Sequence, residues 1–530
     1  MTLCMSAKLL KNTVIVGAMT LISRVLGLVR DMVMAWFGAT AGMDAFFVAF
    51  KIPNFLRRLF AEGAFSQAFV PIISEYKEQR SHAEVRDLVN RVAGTFGGVL
   101  ILITVVGVLA SPVVVTVFAP GFLYTDSARF DLASQMLRIT FPYILFVSLV
   151  AFAAGILNTY GRFATPSLAP VWLNVVMIGA ALFVAPHLER PVLALAGGVF
   201  VAGVVQVLYM LPSLRRIGLL PRPRWDIRDE GVRRIMRLML PGIFGSSVAQ
   251  INLLLDTLIA SFLVTGSVTW LYYSDRLVEF PLGVFAIALS TVILPSLSRS
   301  YANASEEEFS ATVDWGLRLV LLVGIPSMIG LIILARPVLA TLFLYHAFTL
   351  WDVRMASLSL MTMSFGLPAF MLIKVLAPAF YSRKDPRTPV RIAVISLVTN
   401  LLFNLVIVIP MVRLGVPGPH AGLAFATSIA AYVNAGLLFR VLYRKRIYQP
   451  HAGWRKYLLQ LGSAAAAMAG VLLWGAPALA EWAAWPAGHR GLVLLAWVCA
   501  GLAVYFLTLR AGGLQISTLW TTGHAAGEGA

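Results

Sequence analysis

The sequence predicts an all-α polytopic membrane protein with 14 transmembrane helices: two six-helix lobes related by a pseudo-two-fold axis along the membrane normal, plus a C-terminal helix pair. Three observations predict it. Of 530 residues, 59% are hydrophobic and only 12% charged, against about 25% charged in a soluble domain. The apolar residues gather in runs of about 20, the length a helix needs to cross the hydrocarbon core, where barrel strands would alternate over about 10. The first half of the chain also resembles the second at a near-constant offset.

The spans follow in order. The first two, about 12–37 and 42–72, are apolar runs interrupted by charge. The next four lie near 92–119, 133–159, 165–186 and 191–213 and are cleaner. A second set of six follows at about 233–264, 268–297, 312–345, 353–381, 388–412 and 419–441. The last two, about 456–478 and 490–511, have no counterpart in the repeat. Trp474, Trp482 and Trp485 between them are expected to form an aromatic belt at the outer boundary. The final pair supports a lipid-facing groove or serves packing alone.

Lys and Arg mark the cytoplasmic loops of a membrane protein. Basic groups follow the even spans: Lys77, Arg80, Arg86 and Arg91; Arg215, Arg216, Arg222 and Arg224; Arg383, Lys384 and Arg387; Arg444, Lys445 and Arg446. The alternate loops, 120–131, 186–191 and 413–419, are poor in them. Both termini are therefore expected in the cytoplasm. The first run is broken by Arg24 and Arg30, and no small-residue cleavage site precedes the next span, so a cleaved signal is not expected. The net charge of +18 is explained largely by these loops. No soluble domain carries it, and no nucleic-acid partner is expected. Cys4 and Cys499 lie in opposite terminal regions, and the seven histidines are scattered, which argues against a disulfide framework and a transition-metal site.

The repeat appears in three places. SPVVVTVFAPGF at Ser111 resembles RPVLATLFLYHAF at Arg336; LNTYGRFATPSLAPVWLNVV at Leu157 answers APAFYSRKDPRTPVRIAVISL at Ala377; FVPIISEY, ending at Tyr76, matches ILPSLSRSY, ending at Tyr301. Six spans per copy is an even number, so both copies have one orientation and relate by an axis along the normal. The domains are 1–220, 221–447 and the terminal pair with its tail, 448–530.

Chemistry is carried by charges at membrane depth. A charge at the bilayer centre costs roughly 2.5–3.5 kcal/mol on insertion scales and survives facing a partner or a wet cavity. Arg24, Arg30 and Asp31 fall in the first span; Asp44, Lys51, Arg57, Arg58 and Glu62 crowd the second. Residues seven apart share a helix face, as Arg24 and Asp31 do, and as Asp44, Lys51 and Arg58 do. The second lobe adds Asp275, Arg276 and Glu279, with Lys374 two spans later. Bases outnumber acids, so the expected ligand is an anion in a hydrated cavity, and arginine's planar fork suits phosphate. The alternative is internal salt bridging, which Arg30–Asp31 and Arg58–Glu62 fit well. Pro53, Gly27, Gly38 and Gly63 around the cluster permit helix breaks, which are tolerated where they line a cavity.

A second polar group comprises Asp256, Asn400, Asn404 and Thr427. One carboxylate with amide and hydroxyl oxygens suits a hard monovalent cation such as sodium; interhelical hydrogen bonding is the competing reading. No phosphate-binding glycine loop or nucleophile elbow occurs, so a transporter driven by an ion or substrate gradient is expected rather than an enzyme.

SRVLGLVRD (Ser23–Asp31) and MDAFFVAFKIPNFLRRLFAEGAFSQAFVP (Met43–Pro71), with YYSDRLVEFPLGVF from Tyr272 and KVLAPAFYSR from Lys374, resemble the MurJ (MviN) family of lipid II flippases over essentially the whole chain. The resemblance implies the fold of the multidrug/oligosaccharidyl-lipid/polysaccharide exporter superfamily. It also implies movement of an undecaprenyl-diphosphate peptidoglycan precursor between leaflets of the bacterial inner membrane, for cell wall synthesis. It carries the family's cavity arginines onto Arg24, Arg30, Arg57 and Arg276, and its neighbouring polar positions onto Asp31, Asp44, Glu62 and Arg58. Its sodium site falls on Asp256, Asn400, Asn404 and Thr427, with Asn404 where some members have a second carboxylate. The closest rivals are a flippase for another polyprenyl-diphosphate glycan and a cation-coupled drug exporter, whose cationic substrates would want an acidic cavity.

Overall fold

A computed structural model describes residues 2–59, 65–288, 293–302, 305–475 and 477–514. These residues are overwhelmingly helical and include no strand. Ten described helical segments are long and apolar enough to cross a membrane. The chain divides into two compact units, Met1–Val268 and Thr269–Ala530. That boundary reports packing, whereas the boundary near residue 220 reports internal resemblance.

The first unit runs through α1 (Thr2–Ala35), α2 (Ala41–Arg57), α3 (Ser66–Gln79), α4 (His82–Leu109), α5 (Ser111–Phe118), α6 (Pro120–Thr125), α7 (Ser127–Thr140), α8 (Tyr143–Thr159), α9 (Ala164–Gly179), α10 (Leu193–Arg216) and α11 (Glu230–Ala260). The starts are set by local chemistry. Ser81 and Glu84 close a capping box on α4. Asp126 caps α7, and Asp229 caps α11. Pro142 separates α7 from α8, since a proline at that point removes a backbone donor. The core is aromatic: Phe65 stacks on Phe96 with centroids 4.2 Å apart and on Phe69 at 5.0 Å, and Phe69 meets Phe152 at 5.0 Å. This cluster ties α4 and α8 to the approach to α3 and to its first turn.

The second unit contains α12 (Ser267–Ala288), α13 (Leu294–Ala302), α14 (Glu306–Ile333), α15 (Ala335–Phe343), α16 (Leu350–Phe365), α17 (Leu367–Ser382), α18 (Arg387–Arg413), α19 (His420–Arg444), α20 (Trp454–Gly475), α21 (Leu479–Ala484) and α22 (Ala487–Ala511). Helix boundaries recur between the copies. α4 and α14 both have 28 residues and a serine N-cap, Ser81 and Ser305. Each is followed by a short helix starting with a proline in its first turns, α5 and α15. A pair broken beside Pro142 or Pro368 comes next.

The terminal pair docks on α14. Leu322 and Leu334 pack with Tyr457, Leu461, Met468 and Leu472 of α20 and with Tyr505 and Leu509 of α22. A polar knot fixes the approach to α20: Asp314 accepts from the Tyr448 hydroxyl (2.7 Å), Trp454 Nε1 (2.7 Å) and Arg318 Nε (2.7 Å). The expected aromatic belt is corrected at one position. Trp474 is 91% exposed, but Trp482 is wholly buried, donating to Thr341 Oγ1 at 2.9 Å, because its indole fills the contact between α21 and α15.

Candidate functional site

α1 and α2 carry the densest charge, and the structure divides it into two populations. In the first, charges answer one another. Arg30 Nε and Nη2 donate to Asp31 Oδ1 at 3.1 and 2.7 Å, and Nη1 donates to Asn174 Oδ1 of α9 at 3.1 Å. Asn174 in turn donates to the Ser23 carbonyl at 3.1 Å. Arg30 is 4% exposed and Asp31 0%. A guanidinium so enclosed holds α1 against α9, and in this structure Arg30 and Asp31 answer one another.

Asp44 is likewise enclosed. It sits in the first turn of α2, where the helix dipole favours an anion, and it is completely buried. Its Oδ2 accepts from the Gly266 backbone amide at 2.7 Å and from Arg129 Nη1 at 3.3 Å. Gly266 has φ +96°, a backbone conformation that favours glycine and aims that amide at Asp44. Arg129 is further held by Thr125 Oγ1 at 3.3 Å and lies 4.5 Å over the Phe122 ring. Arg129 was missed in the sequence. Its signal is being the one base in residues 120–131, a stretch whose end becomes the start of α7.

The second population keeps its side chains accessible. Arg24 and Arg57 are half-buried, and Arg58 is exposed. Half-buried Lys51 donates to Thr257 Oγ1 of α11 at 3.4 Å. The backbone explains why Arg57 and Arg58 stand where they do. Pro53 has no amide to give the Ala49 carbonyl, and the Thr140 hydroxyl donates to that carbonyl instead, at 2.9 Å. Asn54 Nδ2 donates to the Phe50 carbonyl at 2.9 Å. The helix then widens into a π-helical turn at 58–59, a distortion frequent at functional positions. Glu62 lies outside the described residues.

In the second unit, Arg276 of α12 is half-buried and pairs with Glu279 one turn on, at 3.1 Å. Lys374 of α17 is exposed. Asn400 and Asn404 occupy one buried face of α18, and half-buried Thr427 lies on its packing partner α19. Asp256, half-buried on α11, belongs to the first unit. No cluster of three or more His, Cys, Asp or Glu able to hold a metal occurs among the described residues. The amide oxygens on α18 and the hydroxyl on α19 are neutral ligands, which fit a monovalent hard cation better than a transition metal.

The chain is similar to known proteins over most of its length. The family described as lipid II flippase MurJ matches residues 33–485. The probable lipid II flippase MurJ of Vibrio cholerae is 48% identical over 521 residues, 97% of this chain and 98% of the relative. The lipid II flippase MurJ of Burkholderia cenocepacia is 46% identical, covering 87% and 88%. Among solved structures, an inward closed conformation of lipid II flippase MurJ superposes with a TM-score of 0.78 at 26% identity, covering 93% of this chain and 98% of that one. An inward-facing multidrug resistance MATE family transporter of the MOP superfamily shares the fold, with a TM-score of 0.64 at 16% identity over 82% and 98%.

Proposed function

The chain belongs to the lipid II flippase MurJ family, and from that membership we propose how its residues carry the substrate. It is a lipid II flippase, a transporter rather than an enzyme, and a multi-pass protein of the bacterial inner membrane serving peptidoglycan synthesis. Our reading has fourteen crossings. Ten are the long apolar segments; α1, α2 with α3, α11, and α12 with α13 supply four more. Both termini are cytoplasmic, a reading supported by the basic loops. The recurrence of helix boundaries supports two six-helix lobes, 1–220 and 221–447, with the pair 448–530 added.

The observation that carries the site is the accessibility of Arg24, Arg57 and Arg58 beside a buried, self-paired Arg30–Asp31. The basic groups we assign to the diphosphate of the substrate are Arg24, Lys51, Arg57, Arg58, Arg276 and Lys374, an assignment that rests on the charge pattern and resemblance of the sequence. A fork of donors in a poorly screened place holds a diphosphate more firmly than a surface cluster would. Transport proceeds by alternating access, with the polyprenyl tail left in lipid and the headgroup entering from the cytoplasmic side. Binding shifts the protein between states only by its differential affinity for them. Sodium and the membrane potential are the two candidate drivers of release in this reading. Asn400, Asn404 and Thr427 supply neutral oxygens for a cation, and Asp256 is added as its carboxylate on the sequence resemblance alone.

Replacing Arg24, Arg57 or Arg276 with Ala is expected to abolish export while protein yield and melting temperature stay at the parental level. The readout is the share of lipid II reached by a lipid II-cleaving enzyme added outside spheroplasts. Normal export by R24A and R276A would contradict the assignment.

A further inference from the structure

The segment joining α10 to α11 is fastened to α4 by its backbone. The Arg222 amide donates to Asn90 Oδ1 at 2.7 Å, the Arg224 amide to the Asn90 carbonyl at 2.9 Å, and the Asp226 amide to Thr95 Oγ1 at 3.2 Å. Glycine makes the fit. A Cβ at Gly94 would lie 2.2 Å from the Arg224 carbonyl oxygen, and one at Gly98 would lie 2.2 Å from the Trp225 ring. Arg224 and Trp225 are thus seated in a groove on α4.

Charge in this segment is sorted by direction. Asp87, Asp226 and Asp229 converge on Arg91 at 2.6, 3.3 and 2.6 Å. Asp229 also caps α11, and Asp87 reaches Arg224 at 3.5 Å. Arg215, Arg216, Arg222 and Arg228 are exposed and make no ion pair among the described residues. Between them, Leu220, Trp225 and Ile227 are exposed, Trp225 by 60%.

The depth of this segment is fixed by α4. Ile101, Leu102, Val105, Val106 and Leu109 form its exposed apolar stripe, which begins one turn beyond Gly98. The Trp225 indole therefore lies where the lipid-facing surface starts. Gly94 seats the Arg224 backbone about 6 Å nearer the helix start, four residues at ~1.5 Å each. An indole at headgroup level with arginines just outside it is the pattern of an interfacial anchor on an anionic leaflet.

We propose that residues 215–228 form a preformed binding surface for anionic phospholipid headgroups, with Arg222 and Arg228 on the phosphates and Trp225 in the interface. The leaflet is the cytoplasmic one, which rests on the orientation proposed above. The lipid holds in place the one covalent link between the two repeats.

The test uses purified full-length protein titrated with phosphatidylglycerol or phosphatidylcholine and read by native mass spectrometry. Arg222 is fastened through its amide, so R222Q/R228Q keeps the backbone contacts. An arginine near an anionic surface contributes about 1 kcal/mol, or roughly 5-fold. The double variant should therefore weaken phosphatidylglycerol binding on the order of 25-fold and leave phosphatidylcholine unchanged. R444Q/R446Q, with the same charge change on another basic loop, should retain parental binding. Equal losses in the two double variants, or equal uptake of both lipids by the parent, would reduce the effect to general charge attraction and overturn the proposal. Unchanged binding by R222Q/R228Q would overturn it too, leaving those arginines to a protein partner. Orientation is read separately. R228C in a chain carrying C4S and C499S should react with a membrane-impermeant maleimide only after spheroplasts are lysed. Labelling of intact spheroplasts would overturn the orientation whatever the lipid result.

Discussion

A guanidinium away from water is stable only where its charge is answered, and two arginines here show how. Arg30 is answered by Asp31 and Asn174, and Arg129 by Asp44. Removing one member leaves the other buried and uncompensated, which costs about 3–5 kcal/mol. D31N is therefore expected to lower the melting temperature of the detergent-purified protein sharply, with R30M/D31L recovering most of the loss, since an apolar pair of similar volume is often neutral. A D31N protein as stable as its parent would show that the pair does not hold α1 to α9. At Asp44, Asn keeps an acceptor for the Gly266 amide while losing the charge opposite Arg129. D44A should thus be less stable than D44N in the same thermal scan. These outcomes concern folding, whereas R24A and R57A concern export, and the two sets of arginines should separate on that basis.

The elements are shaped by where backbone groups lose and regain partners. Pro53 frees the Ala49 carbonyl and Thr140 takes it up, so T140V should cost about 1–3 kcal/mol, the desolvation penalty of an unmet buried acceptor. Denaturant unfolding of the two proteins measures it. At α4, Gly94 leaves no room for a methyl group against the Arg224 backbone, and backbone cannot swing aside as a side chain can. G94A should lift the linker and speed tryptic cleavage after Arg224 and Arg228, seen by mass spectrometry of the fragments. The loop before α18 gives a pH dependence. The Thr388 hydroxyl, then its amide and Lys445, hold the Asp385 carboxyl below the usual carboxylate range. A lowered pKa contributes stability above the ordinary carboxylate range and loses it as pH falls through the lowered value. Parent and D385N should differ in melting temperature near neutrality and converge in acid.

At the scale of the whole molecule, the helix boundaries of α4, α5, α7 and α8 recur in α14 to α17, as expected if one six-helix plan was laid down twice. The terminal pair has its own role in packing, because Tyr457, Met468 and Leu472 of α20 close over Leu322 of α14. The proposed sodium coupling is tested at this scale. Export by energised membrane vesicles should fall when sodium is replaced by potassium, and N404L should lose that dependence. Equal export in both salts would remove Asp256, Asn400, Asn404 and Thr427 from the mechanism.

The sequence by itself determined the class of the molecule, the long apolar helices, the internal repeat and the basic positions on α1, α2, α12 and α17. These follow from composition, period and one-dimensional spacing, which the chain carries regardless of how it packs. The contacts of Arg30, Asp31 and Asp44 were decided only in three dimensions. Seven-residue spacing puts Asp44, Lys51 and Arg58 on one helix face but cannot say that Arg129, 85 residues away, would arrive to neutralise one of them. Trp482 reads as a boundary residue until Thr341 is seen beneath it. Ion pairs and buried indoles are short-range contacts between distant parts of the chain, so only the packing of helices reveals which groups meet.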